Sequence, residues 1–124
     1  FSFKANTNDT RESPAIKICK DLIEEGAQLS IYDPKVELDQ INKELLKNDQ
    51  LCANISFANT IEESVVDADA IVILTEWHEF YNLNWSKLIK VMRKPSWVFD
   101  TRCLVNIKLL KKLGINVWRV GMPN

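Results

Sequence analysis

The sequence predicts an α/β domain in which a mostly parallel sheet of about six strands carries helices on both faces. Three observations lead there. Short β-branched or aromatic runs alternate with stripes of helical period along all 124 residues. Glycines at 26 and 114 punctuate two helix-to-strand transitions. The run Ala70-Ile-Val-Ile-Leu74 is apolar without alternation, the pattern of a central parallel strand buried on both faces. Right-handed crossovers then place the strand-to-helix loops along one edge of the sheet.

Taken in order, Phe1 to Phe3 reads as the end of a strand whose beginning lies upstream, so the chain is expected to be part of a longer one. Lys4 to Arg11 is a polar loop with a cation at either end. Ser13-Pro14 supplies an N-cap hydroxyl and a preset φ for the first helical turn. Ala15, Ile18, Cys19 and Leu22 fall on one helix face, and Gly26 ends that helix. Leu29 and Ile31 alternate in a second strand stopped by Asp33-Pro34. Leu38, Ile41, Leu45 and Leu46 give an exposed helix its stripe within residues 35–53.

An edge strand is expected at Asn54 to Ala58 and a helix from Thr60 to Val66, with Thr60 or Asn59 as cap. After the strand at 70–74, Thr75-Glu-Trp-His-Glu-Phe80 occupies its carboxyl end, where open α/β sheets place ligands. Trp77, Phe80 and Trp85 read as packing against a partner domain or subunit. Ser86 to Met92 forms a helix stopped by Arg93-Lys-Pro95, and Trp97 to Asp100 the next strand. Leu104 to Leu113 is a helix ended by Gly114, and Ile115 to Val120 the last strand.

Charge excludes some functions. Sixteen Lys and Arg against 17 Asp and Glu leave no global field for nucleic acid or an anionic membrane, so neither is expected as a partner. No apolar run approaches the roughly 20 residues that span a bilayer. Cys19, Cys52 and Cys103 lack metal-ligand spacing and read as reduced thiols of a cytoplasmic protein. His78, the single histidine, has no second His or Cys nearby, which favours a structural or solvent-facing role over metal binding.

The loop from Lys4 to Arg11 opens a helix, whose free N–H groups and dipole favour an anion beside two cations. Polar strand-to-helix loops are also commonly just solvated, and both readings stay open at this point. No glycine lies between Phe1 and Gly26, so neither a dinucleotide-binding turn nor a Walker loop can form there. Any phosphate would be held by side chains. Arg102, in Asp100-Thr-Arg102 at another strand's carboxyl end, brings a cation to the same expected edge. The alternative is that Asp100 pairs with Arg102 and neutralises it.

Phe1-Ser-Phe-Lys4, Asn8-Asp-Thr-Arg-Glu-Ser13, Ile31-Tyr-Asp-Pro34, Thr75-Glu-Trp77 and Phe99-Asp-Thr-Arg102 together resemble the C-terminal, UDP-binding domain of the UDP-glucose/GDP-mannose dehydrogenase family. The resemblance covers almost the whole chain. Thr75-Glu-Trp77 favours the UDP-glucose branch, with other UDP-sugars and GDP-mannose as alternatives. It implies a Rossmann-like, three-layer domain spanning residues 1–124. It further implies an NAD-dependent enzyme that oxidises the sugar C6 alcohol twice, giving UDP-glucuronate. The nucleophilic cysteine, its helpers and the glycine-rich NAD turn would then lie in N-terminal and central domains upstream, in an enzyme that assembles as a homo-oligomer. This chain alone would be inactive.

Carried over by position, the resemblance implies that the Phe3 backbone and the Lys4 ammonium hold the UDP-sugar, that Arg102 reaches the substrate and that Arg11 contacts NAD. Thr101 stands where relatives often have glycine, a departure that could alter the backbone aiming Arg102. Cys103 stands where they often carry Asn or Arg, and no catalytic role is assigned to it. Two other classes share the strand and helix alternation. A receiver or flavodoxin-like module would need an acidic pocket or a flavin loop where Lys4 stands. An oligomerisation or lid domain would use the aromatic stretch from Trp77 to Trp85.

Overall fold

The computed structural model describes residues 14–34 and 55–121. The chain forms two compact units, Phe1–Ser64 and Val65–Asn124. In the first, helix α1 (Pro14–Glu24) precedes strand β1 (Leu29–Ile31), strand β2 (Ile55–Phe57) and the single-turn helix α2 (Ile61–Ser64). β1 and β2 pair in parallel, Leu29 with Ile55 through Ile31 with Phe57. The second holds β3 (Ala70–Ile73), a 3-10 helix (His78–Asn82), α3 (Trp85–Val91), β4 (Trp97–Asp100), α4 (Ile107–Lys112) and β5 (Asn116–Arg119). Its sheet is parallel throughout, in the order β3-β4-β5.

The expected α/β, Rossmann-like alternation is thus present, as five parallel strands in two sheets among the described residues. The strand expected at Phe1 to Phe3, the cap at Ser13, the stripe in 35–53 and Cys52 lie outside those residues. None of the described helices is long and apolar enough to cross a membrane.

Local chemistry explains most boundaries. Pro14 opens α1, where its fixed φ suits the first turn and its missing N–H has no intrahelical duty. The buried side chains of α1 are Ala15, Cys19 and Ile23, one every fourth residue. The inward stripe is therefore turned slightly from the expected one, with Ile18 and Leu22 half-buried at its flank. Gly26, at φ 91°, closes the helix: its N–H donates to Ile23 O at 3.0 Å and that of Ala27 to Leu22 O at 3.0 Å. These two bonds satisfy carbonyls that the helix end would otherwise orphan.

Gly114 (φ 82°) repeats the arrangement after α4, with Gly114 N–H on Lys111 O at 3.0 Å and Ile115 N–H on Leu110 O at 2.9 Å. Leu110 and Ile115, the apolar pair that accompanies such a stop, are both buried. At helix starts, Asn84 and Asn106 cap α3 and α4 by accepting from the N–H groups of Lys87 and Leu109. Thr60 accepts from Glu63 N–H while Glu63 accepts from Asn59 N–H, a reciprocal exchange that holds α2.

β3 was expected to be central and buried on both faces; among the described residues β4 is the middle strand of its sheet, and Val72 of β3 is 42 % exposed. An uninterrupted apolar run does not by itself distinguish the two positions. One face of this sheet carries Ile71, Ile73, Val98 and Asp100, with Val98 and Asp100 wholly buried. On the other, the rings of Trp97 and Phe99 stack at 5.6 Å and 13°, and Phe99 meets Trp118 at 6.5 Å. Trp97 and Trp118 are exposed.

The aromatic stretch expected to meet a partner is instead folded inward at its two tryptophans. Trp77 and Trp85 are buried. Large indole rings gain most from leaving water, and the 3-10 turn between them lets both do so while His78 and Tyr81 stay outside with their rings 6.0 Å apart.

Candidate functional site

The site is built at the carboxyl end of the β3 and β4 strands, where Asp100, Thr101 and Arg102 leave the sheet. Asp100 is the last residue of β4 and is wholly buried. A carboxylate so placed requires partners. It has three from the backbone: its Oδ1 accepts from Arg102 N–H at 2.9 Å, and its Oδ2 from Leu104 N–H at 2.7 Å and Val105 N–H at 2.9 Å. The loop is therefore wound around one side chain. Its other strand-side tie is Val120 N–H to the Asp100 carbonyl at 3.1 Å.

The sequence left open whether Arg102 brings a free cation to this edge or is neutralised by pairing with Asp100. The structure shows Asp100 meeting Arg102 through the backbone N–H, with two further N–H groups shared on the second oxygen. Its charge is thus stabilised by main-chain dipoles without reliance on the guanidinium.

Thr101 and Arg102 fasten the loop to β3. The Ile73 carbonyl accepts both the Thr101 N–H at 3.2 Å and the Thr101 hydroxyl at 2.7 Å. Arg102 then donates from Nε to the next carbonyl, Leu74 O, at 3.1 Å. Two consecutive loop residues are in this way laid on two consecutive carbonyls, and half-buried Arg102 has its guanidinium tied across the end of β3. The bond at Nε restrains the orientation of the planar guanidinium, which matters for the forked contacts arginine makes to phosphate. Cys103 follows in the left-handed region at φ 59°, exposed, which is a backbone position that favours Asn or Gly.

Beside this loop, Thr75 and Trp77 are buried at the end of β3. The Trp77 indole N–H is buried with no hydrogen-bond partner among the described residues, a rare condition for a buried donor. Glycines 26 and 114 end helices and Gly121 follows β5, so the described residues provide no strand-to-helix glycine cradle for a dinucleotide pyrophosphate. Of the four candidate residues, Arg102 falls within the described residues; Phe3, Lys4 and Arg11 lie outside them.

Sequence reasoning had located Arg102 but missed what aims it. An Asp that accepts from the N–H two residues on is a recognisable turn device, so the Asp100 to Arg102 bond was accessible from the order of residues alone. The bonds from 101 and 102 to 73 and 74 join residues 28 apart, and no local signal announces them.

A family model described as the UDP-glucose/GDP-mannose dehydrogenase family, UDP binding domain, matches residues 1–107. UDP-glucose 6-dehydrogenase 2 of Arabidopsis thaliana is 39% identical over 137 residues, covering 99% of this chain and 28% of that protein. UDP-glucose 6-dehydrogenase of Caenorhabditis elegans is 40% identical over 131 residues, covering 98% of this chain and 26% of its own length. The chain spans little more than a quarter of the curated relatives it matches.

Proposed function

Because the chain belongs to the UDP-glucose/GDP-mannose dehydrogenase family, whose UDP-binding domain it matches over residues 1–107, we propose that it is the UDP-sugar-binding part of an NAD-dependent dehydrogenase. The enzyme would oxidise UDP-glucose twice at C6 to UDP-glucuronate. The relatives' printed activity, UDP-glucose 6-dehydrogenase, supports this substrate over GDP-mannose. The structural observation that supports it most is the tethered guanidinium of Arg102 at the strand ends.

In this reading Lys4 serves as a point charge on the diphosphate, the Phe3 backbone holds the nucleotide sugar, Arg102 supplies a forked contact and Arg11 meets NAD across the cleft. The bond-making chemistry belongs to N-terminal and central domains of the same cytoplasmic, homo-oligomeric enzyme, so the chain by itself binds and does not turn over substrate. Closing over the diphosphate excludes water and strengthens both cationic contacts while fixing C6 toward the nicotinamide.

The test is kinetic, in the complete enzyme that carries this chain. Lys4→Ala is expected to weaken UDP-glucose use by about 1.5–3 kcal/mol, the scale of a charged hydrogen bond. Unchanged kinetics would remove Lys4 from the site. Turnover by the purified 124-residue chain would refute the placement of the chemistry upstream.

A further inference from the structure

We infer that Thr101 is a positioning residue for Arg102: its hydroxyl holds the loop after β4 against β3 so that the guanidinium is presented to the ligand in one orientation. The inference rests on the reading of Arg102 as a ligand contact, and deepens it. Three observations carry it. The Thr101 hydroxyl reaches Ile73 O at 2.7 Å, shorter than the 3.2 Å of the Thr101 N–H on the same carbonyl. Arg102 Nε takes Leu74 O, the very next acceptor. Asp100, immediately before, gathers the N–H groups of residues 102, 104 and 105.

The consequence is geometric. With the backbone N–H alone, the residue at 101 is tied to β3 by one longer bond, and its φ can vary about that tie. The hydroxyl adds a second bond to the same oxygen through Cβ, which restricts that rotation, since φ moves Cβ relative to the N–H, and with it the path of the chain into Arg102. Any drift there moves the Nε–H off Leu74 O, because the two donors are only one residue apart. A residue with no hydroxyl at 101 would need another source of rigidity. Here the threonine side chain provides it, and it does so without touching the ligand.

The test is NMR on the uniformly labelled 124-residue chain, following the Arg102 Nε–H resonance and then titrating UDP. In the native chain this proton is expected to exchange slowly with water. Thr101→Val, which keeps the shape and removes the donor, should speed that exchange about tenfold or more, and Thr101→Ser should restore it. Thr101→Gly is the second variant, because it also lacks the hydroxyl while leaving the core residues untouched. Amide dispersion confirms the fold in each. Exchange of the Nε–H as slow in both hydroxyl-free variants as in the native chain would overturn the inference.

The titration separates this from the underlying reading. Weaker UDP binding in Thr101→Val, by about threefold to tenfold and rescued in Thr101→Ser, is the expected result. Equal binding in all four chains, with the Nε–H released in Val and Gly, would show that Thr101 positions Arg102 and that Arg102 is not a ligand contact.

Discussion

The two units end their helices alike and treat their strands differently. Gly26 after α1 and Gly114 after α4 make the same pair of bonds at φ 91° and 82°, and the strands that follow them, β1 and β5, both alternate between half-buried and exposed. Both described strands of the first unit alternate between half-buried and exposed, whereas β4 of the second contains wholly buried Val98 and Asp100. Helix punctuation is local and cheap to repeat. A buried carboxylate that organises a loop needs main-chain donors from several residues, and Asp100 finds them at 102, 104 and 105.

The largest effect should come from that carboxylate. Asp100→Asn would place an amide donor against N–H groups that now donate to oxygen, and is expected to cost about 3 kcal/mol or more in urea unfolding. A loss under about 1 kcal/mol would mean that the loop does not depend on it. Leu110→Ala, at another wholly buried position, serves as the apolar reference and should cost about 2–5 kcal/mol.

Next is a pH effect confined to the first unit. Burial pushes the Cys19 thiol up to about 11 from an ordinary 9.0. The folded chain therefore keeps a proton that the unfolded chain releases above pH 9. The stabilisation is complete below pH 9 and is lost as pH rises from 9 through 11, on the order of 2 kcal/mol. Cys19→Ala should be flatter than the native chain across that window in parallel denaturant titrations, and identical slopes would contradict the burial of the thiol.

The matched glycines sharpen the comparison further. Neither Gly26 nor Gly114 has an atom that a Cβ would meet within 4 Å, so the cost of Ala lies in the positive φ alone. Each substitution should cost about 1 kcal/mol. Hydrogen exchange at the Ala27 and Ile115 amides reads each site separately. A much larger cost at one glycine would show that its stop does more than end a helix. The smallest effect belongs to Lys17→Ala, since the Lys17–Asp21 pair at 3.0 Å is exposed on both sides and should contribute about 0.5 kcal/mol or less.

What the sequence made legible follows the same division. Pro14, Gly26, Gly114 and the capping Thr60 act within a few residues of themselves, and each stands where its chemistry predicts. Strand position was less accessible: Ala70 to Leu74 looks central by composition, while among the described residues the middle strand of its sheet is β4. The tryptophans were misread for a related reason. Trp77 and Trp85 are buried while Trp97 and Trp118 stand exposed on a sheet face, a distinction set by which strands adjoin and not by the residues beside each ring. At the site, Arg102 could be named from its motif, but the carbonyl its Nε meets, Leu74 O, lies just past β3 and 28 residues away.

The most direct test of the central proposal, that the side-chain cations Lys4 and Arg102 hold a UDP-sugar, is calorimetric titration of UDP into this chain and into its Lys4→Ala and Arg102→Ala variants. Binding to the native chain that weakens at least about tenfold in each variant, the worth of one charged contact, is the predicted result. Binding of the same strength in all three would contradict it.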